Sequence, residues 1–142
     1  MLKGIPSALS PDLLKVLMEM GHSDEIVIAD GNFPGASLAK NLIRLDGHGT
    51  VEILEAILKL FPLDTYEKPV YLMAKVPGDQ VETPIWEEYK KIVSKYTDDE
   101  IAYIERYEFY ERAKKAYAVV MTGESALYAN ALLKKGVVKS ED

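Results

Sequence analysis

Apolar positions switch between a helical and a strand-like period along the chain. Leu13, Leu14, Leu17 and Met20 recur at helical spacing, with Ser10 placed to cap, Pro11 in the first turn and Gly21 to close. Residues 25–29 follow as a short run rich in Ile and Val, bounded by turn residues and ending at Asp30; this is the pattern of a buried strand. Residues 31–35 hold glycines and a proline and read as loop. Residues 42–45 predict a second strand that ends at Asp46-Gly47-His48-Gly49. Thr50 is placed to cap a helix that turns Val51, Leu54, Ile57, Leu58 and Phe61 inward and stops at Pro62. A strand over 70–76 is ended by Pro77-Gly78-Asp79. Thr83-Pro84 then opens a helix with Ile85, Tyr89, Ile92 and Tyr96 inward, Trp86 and Val93 widening the face, and Glu87 and Lys91 paired outside.

The last third repeats the alternation. Residues 101–106 predict a strand and 107–116 a helix burying Phe109, Tyr110, Ala113 and Ala116, with Glu111 paired to Lys115. Residues 118–121 predict another strand, ending at Thr122-Gly123. The segment 124–135 supports two readings. Propensity favours a helix with Gly136 just past its end; the competing reading is a turn through Tyr128 followed by a C-terminal strand. No repeat, low-complexity tract or long linker divides the chain. The expectation is one α/β domain over residues 1–142, a central sheet flanked by helices.

Composition narrows the chemistry. The 142 residues carry 17 Lys+Arg against 23 Asp+Glu, a net charge of −6, with 2 His and no Cys. A chain without cysteine has no disulfide framework, thiol nucleophile or thiolate-bound metal. An acidic chain without a basic block is poorly suited to binding a phosphate backbone, so no nucleic-acid partner is expected. No apolar run has the length of a membrane span, and the N-terminus has no apolar signal region, so a cytoplasmic protein without membrane association is expected. The chemistry must then use histidine, carboxylates, tyrosine or arginine.

His22 follows the helix-closing glycine and precedes Asp24; a histidine at a helix C-terminus favours its charged form and titrates near neutrality. Taken alone it also reads as a capping histidine with no catalytic task. His48, between two glycines, reads as a mobile surface residue. Neither histidine has a metal-ligand spacing, and no metal is expected. Asp24 and Asp30 bracket one strand, roughly 20 Å apart, too far to act as a carboxylate pair. Asp30, at the strand's C-terminal end, is better placed to hold a ligand, as open α/β sheets bind ligands there. Arg106, ending another expected strand, can anchor ligand hydroxyls or form a salt bridge. Tyr128 and Asn130 point to one side if their segment is extended and diverge if it is helical. No dinucleotide-binding, phosphate-loop or nucleophile-elbow motif is present.

Several short motifs, in this order, resemble the L-fucose mutarotase family and its sister, the D-ribose pyranases: Gly21-His22-x-Asp24, the strand ending at Asp30, Gly123-Glu124, Tyr128-Ala129-Asn130 and Gly136-Val137. Asn32-Phe33-Pro34, Ile43-Arg44-x-Asp46-Gly47 and Phe109-Tyr110-Glu111-Arg112-Ala113 resemble the fucose branch in particular. The resemblance covers essentially the whole chain. It implies interconversion of sugar anomers without metal or organic cofactor, His22 as proton donor, and Asp30, Arg106, Tyr128, Ala129 and Asn130 as sugar-binding positions. Tyr128 would stack on the sugar or serve as a complementary proton relay. It also implies a C-terminal strand and a ring-shaped homo-oligomer, a decamer, whose sites are completed by neighbouring subunits. The alternatives are a D-ribose pyranase and a non-catalytic sugar-binding accessory protein.

Overall fold

The computed structural model describes residues 1–140. Six strands form one mixed sheet in the order β2-β5-β1-β6-β3-β4. They are β1 (Glu25–Ala29), β2 (Leu42–Leu45), β3 (Val70–Met73), β4 (Ala102–Ile104), β5 (Ala118–Thr122) and β6 (Ala131–Lys134). β1, β2 and β5 run parallel, as do β3 and β4; β6 lies between β1 and β3, antiparallel to both. The helices are α1 (Pro11–Glu19), α2 (Gly35–Leu38), α3 (Thr50–Leu58), α4 (Ile85–Val93) and α5 (Arg106–Lys115).

The strand period of two distributes side chains to two cores. Ile26 and Ile28 of β1 join Val120, Leu72 and Leu133 in a core with Leu13, Ile57 and Tyr89 from α1, α3 and α4. Val27 and Ala29 face the other way, into a core with Val119, Leu132 and Phe33, covered by Phe109 and Ala113 of α5. Both faces of the central strands are thus buried, which is why β1 and β5 read as unbroken apolar runs.

Several boundaries differ from the sequence expectation. β4 stops at Ile104 because the Glu105 side chain accepts from the N–H groups of Tyr107 and Glu108, starting α5 at Arg106. Arg106 is therefore a first-turn helix residue and not a strand end. β3 ends at Met73, and the chain then leaves the sheet towards a turn where Gly78 takes φ +87°. The expected loop gives way to α2 at its last residue, Gly35, which lies so close to Met121 and Val119 that a side chain there would collide with them. Gly49, not Thr50, caps α3, and the Thr50 side chain is buried. The surface pairs form at i,i+3, Glu87 with Lys90 and Glu111 with Lys114. Most importantly, 124–135 is not a helix. Tyr128 adopts a left-handed φ of 55°, and Ala131–Lys134 is the strand β6, as the resemblance implied. Tertiary pairing on both sides overrides helix propensity there.

Candidate active site

The C-terminal ends of β1, β3 and β4 and the beginning of β6 meet at one edge of the sheet. They surround a cleft of about 290 Å³ lined by Asp30, Asn32, Phe33, Met73, Val76, Asp79, Arg106, Tyr110, Leu127, Tyr128 and Asn130. Asp30 is buried, and its Oδ1 and Oδ2 accept from the backbone N–H groups of Asn32 (3.0 Å) and Ala129 (3.3 Å). Burial pushes the Asp30 carboxyl above its ordinary range, partly offset by the N–H groups of Asn32, Ala129 and Phe33. Asn130 Oδ1 in turn accepts from the Asp30 N–H at 2.8 Å, which leaves the amide Nδ2 to donate to a ligand.

The backbone between these two groups is held by α4. Trp86 Nε1 donates to the Tyr128 carbonyl at 2.7 Å, and the Tyr89 hydroxyl lies 2.7 Å from the Ala129 carbonyl. Tyr89 also contacts the Thr50 hydroxyl, and Thr50 bonds to Glu124. Burial pushes the Tyr89 phenol upward, so it stays protonated. The Tyr128 hydroxyl is itself engaged: it donates to Asp79 Oδ2 at 2.6 Å and accepts from the Val76 N–H at 3.2 Å. That contact raises the Tyr128 phenol and lowers the Asp79 carboxyl. Arg106, half-buried at the cleft wall, stacks its guanidinium on the Tyr107 ring at 4.5 Å and contacts the Tyr107 hydroxyl.

His22 lies at the opposite edge of the sheet. Its turn joins α1 to β1 and is fastened to the far end of β6: Ser23 N–H donates to the Lys135 carbonyl (2.8 Å) and Lys135 N–H to the Asp24 carbonyl (2.9 Å). Lys135 Nζ caps α1 through the Leu17 and Met20 carbonyls. His22 Nε2 meets Asp64 Oδ1 at 3.1 Å, and Tyr66 leans on the imidazole with ring centroids 5.4 Å apart. Asp64 is only 2% exposed, against 38% for the His22 side chain. Burial alone would raise the Asp64 carboxyl, but the His22 hydrogen bond and the N–H groups of Tyr66, Thr65 and Glu67 outweigh it and hold it below the usual range. An ionised Asp64 fixes the imidazole with its proton on Nε2, leaving Nδ1, which has no partner among the described residues, on the exposed side.

The structure thus brings Asp30, Arg106, Tyr128 and Asn130 together, with Ala129 supplying a backbone N–H beneath them. His22 is not with them, since β1 alone separates the two groups by roughly 17 Å of strand. His48 pairs with Glu52 at 2.9 Å on the surface. Among the described residues, no three His, Cys, Asp or Glu side chains are placed to hold a metal ion. Sequence reasoning missed Asp64, Asp79 and Met73, and gave Tyr110 to the core alone. A turn signature was visible after α3, where Asp64-Thr65 follows Pro62, but its burial and its histidine partner depend on a contact forty-two residues away in sequence.

Fold and cleft define a small α/β protein that gathers carboxylate, amide, guanidinium and phenol groups, the chemistry suited to hydrogen-bonding a polyhydroxylated ligand, at a sheet's carboxyl edge. Residues 3–138 match the model of the RbsD / FucU transport protein family. The chain belongs to that family. It is 54% identical to human (Homo sapiens) fucose mutarotase over 145 residues, covering 96% of this chain and 94% of that one. It is also similar to the fucose mutarotase of Streptococcus pneumoniae, solved in complex with L-fucose, with 53% identity and a TM-score of 0.93 over 97% of this chain and 100% of that one. Likeness to Bacillus subtilis RbsD, solved with D-ribose, is lower: 26% identity and a TM-score of 0.79 over 98% of this chain and 100% of the other.

Proposed function

We propose that this protein is a cofactor-independent isomerase, a mutarotase that interconverts the α and β anomers of L-fucose by acid–base-assisted ring opening and closing. The carrying observation is identity above 50% across nearly the whole chain to fucose mutarotases, from human and from S. pneumoniae. The polar cleft supports it. Opening a hemiacetal requires a proton delivered to the ring oxygen and another removed from the anomeric hydroxyl; nothing else must be supplied. Assistance of this kind contributes roughly 10²–10⁴-fold. Asp30 accepts from sugar hydroxyls, Asn130 Nδ2 and Arg106 donate to sugar oxygens, and Tyr128 faces the anomeric centre.

His22 is the proton donor in this reading, acting through Nδ1 while the Asp64 carboxylate stabilises the imidazolium. Because His22 sits at the wrong edge of its own sheet, the donor comes from a second copy of the chain. The protein therefore works as a homo-oligomer in which the His22 edge of one subunit covers the Asp30 edge of the next. A closed decameric ring in the cytoplasm is the assembly this reading adopts. Head-to-tail contacts of this kind close into rings.

Saturation-transfer NMR on equilibrated sugars tests the activity. Faster α/β exchange for L-fucose is the expected result. Pyranose–furanose exchange confined to D-ribose would make the protein a pyranase, and binding without exchange would make it a sugar-binding accessory. His22→Ala is expected to lower exchange by roughly 10²–10⁴-fold with the assembly intact; undiminished exchange would remove His22 from the mechanism.

A further inference from the structure

Asp79 has no place in the chemistry described so far, yet it stands on the cleft wall with an unusual assignment. Its Oδ2 takes the Tyr128 phenolic hydrogen at 2.6 Å, while its Oδ1 accepts from the Val81 N–H at 3.0 Å. The turn that presents it is built for the purpose: Gly78 adopts φ +87°, and Asp79 N–H donates back to the Val76 carbonyl. Tyr128 is equally constrained. Its one proton goes to Asp79, and one lone pair takes the Val76 N–H. A phenol has one donor and two acceptor sites, so a single lone pair remains for the sugar. Tyr128 can therefore accept a hydrogen from substrate but has none to give.

We propose that Tyr128 and Asp79 form a two-member proton relay in which Asp79, acting through Tyr128, is the final acceptor of the anomeric hydroxyl proton. This deepens the mutarotase reading and rests on it. In the opening step the O1 proton passes to Tyr128 Oη as the phenolic proton passes to Asp79 Oδ2. The O1 lone pair closes to C1=O1, the bond from C1 to the ring oxygen breaks, and that oxygen takes the proton of the second copy's histidine. Asp79 is then neutral, as is the imidazole. Rotation about C1–C2 turns the other face of the aldehyde to the ring-closing hydroxyl. Closure reverses each transfer, so the relay and the histidine are restored with the opposite anomer. No oxidant, metal or nucleophile enters. The relay also explains why Tyr128 is held by its own backbone: with φ at 55° and the carbonyl fixed by Trp86, the phenol bridges the sugar position and the 76–79 turn.

Asp79→Asn separates relay from latch. An asparagine keeps a hydrogen bond to Tyr128 in either amide orientation but has no basic site to receive a proton. In the intact oligomer, kcat for L-fucose exchange is expected to fall by roughly 10²-fold, with KM and the L-fucose dissociation constant changed less than about threefold. Tyr128→Phe should lose a similar factor in kcat, and the double variant little more than either single one, because the two groups act as a unit. Asp79→Asn with wild-type kcat, or with affinity lost in step with rate, overturns the relay. So does a double variant in which the two losses multiply. A wild-type protein that binds L-fucose without accelerating exchange instead overturns the mutarotase reading, and the relay with it.

Discussion

Two buried carboxylates, Asp30 and Asp64, are driven in opposite directions by the same fold. Both lose water and both accept from three backbone N–H groups, but Asp64 also gains a histidine, whereas Asp30 gains the field of Glu124. The sign follows from linkage. The lowered Asp64 contributes stability that is present above its unfolded value and lost as pH falls through its folded one. The raised Asp30 does the reverse, withdrawing stability as pH rises from its unfolded value through its folded one. Asp64→Asn is therefore expected to cost about 1–3 kcal/mol at neutral pH and progressively less below roughly pH 4, where the carboxylate of the unfolded chain begins to protonate. Thermal unfolding of both proteins from pH 7 to pH 3 checks this by the narrowing gap in Tm. Asp64→Asn should also lower kcat by on the order of 10²-fold while L-fucose affinity holds, because the imidazole loses its oriented counter-charge. At this scale the residue types were legible in the sequence and their partners were not. His22 was visible beside its helix end, and Asp30 at its strand end. Asp64 and Asp79 remained ordinary turn aspartates until distant backbone brought His22 and Tyr128 to them.

One element, β6, links both halves of the proposed chemistry. Its first end follows directly from Asn130 in the cleft, and its last end ties down the His22 turn and, through Asp64 N–H to the Lys134 carbonyl (3.0 Å), the carboxylate turn. Gly136 completes that second attachment. Its N–H donates to the Pro62 carbonyl at 2.7 Å, and a Cβ at this position would come within 2.5 Å of the Leu63 carbonyl oxygen. Gly136→Ala is accordingly expected to cost about 1–3 kcal/mol through overpacking and to reduce kcat more than affinity, because it displaces Asp64 and leaves the cleft alone; denaturant titration and exchange kinetics read the two effects separately. On α4, Tyr89→Phe should do the converse. It leaves the buried Ala129 carbonyl without its phenol partner, at about 1–3 kcal/mol, and loosens the Tyr128–Asn130 segment, so sugar affinity falls with stability. Helices α1, α3 and α4 and strands β1 and β5 were legible because their periodicity is their packing. β6 was not, since Ala131-Leu132-Leu133-Lys134 has helix-forming composition and becomes a strand only between β1 and β3. The decisive element was thus the one whose structure is entirely tertiary.

For the whole molecule, the separation of His22 from Asp30 means that, in the mutarotase reading proposed above, activity is a property of contacts between chains. Nothing local to either residue announces this; it follows from strand direction, because His22 precedes β1 and Asp30 follows it. A chain that carried both groups in one site would need them at the same sheet edge. The arrangement has a consequence that single variants do not probe. His22→Ala and Asp30→Asn oligomers should each be nearly inactive, since every site lacks either its proton donor or the carboxylate that holds the sugar. Mixed assemblies differ. Where a His22→Ala chain presents its intact Asp30 cleft to the intact His22 edge of an Asp30→Asn chain, a complete site forms. Random assembly at equal amounts gives about a quarter of sites complete in a head-to-tail ring. Co-refolded or co-expressed variants should therefore recover about a quarter of wild-type exchange, and titrating one variant against the other should give a maximum at equal proportions. Recovery that fails while mixed oligomers are present in native mass spectra would place the His22 and Asp30 of each site on one chain. In the proposed assembly, where a His22 edge meets an Asp30 edge, Tyr66, beside His22, and Leu127, beside Tyr128, offer exposed apolar surface at 78% and 49%. Each would lie at the rim that a neighbouring subunit closes in that assembly.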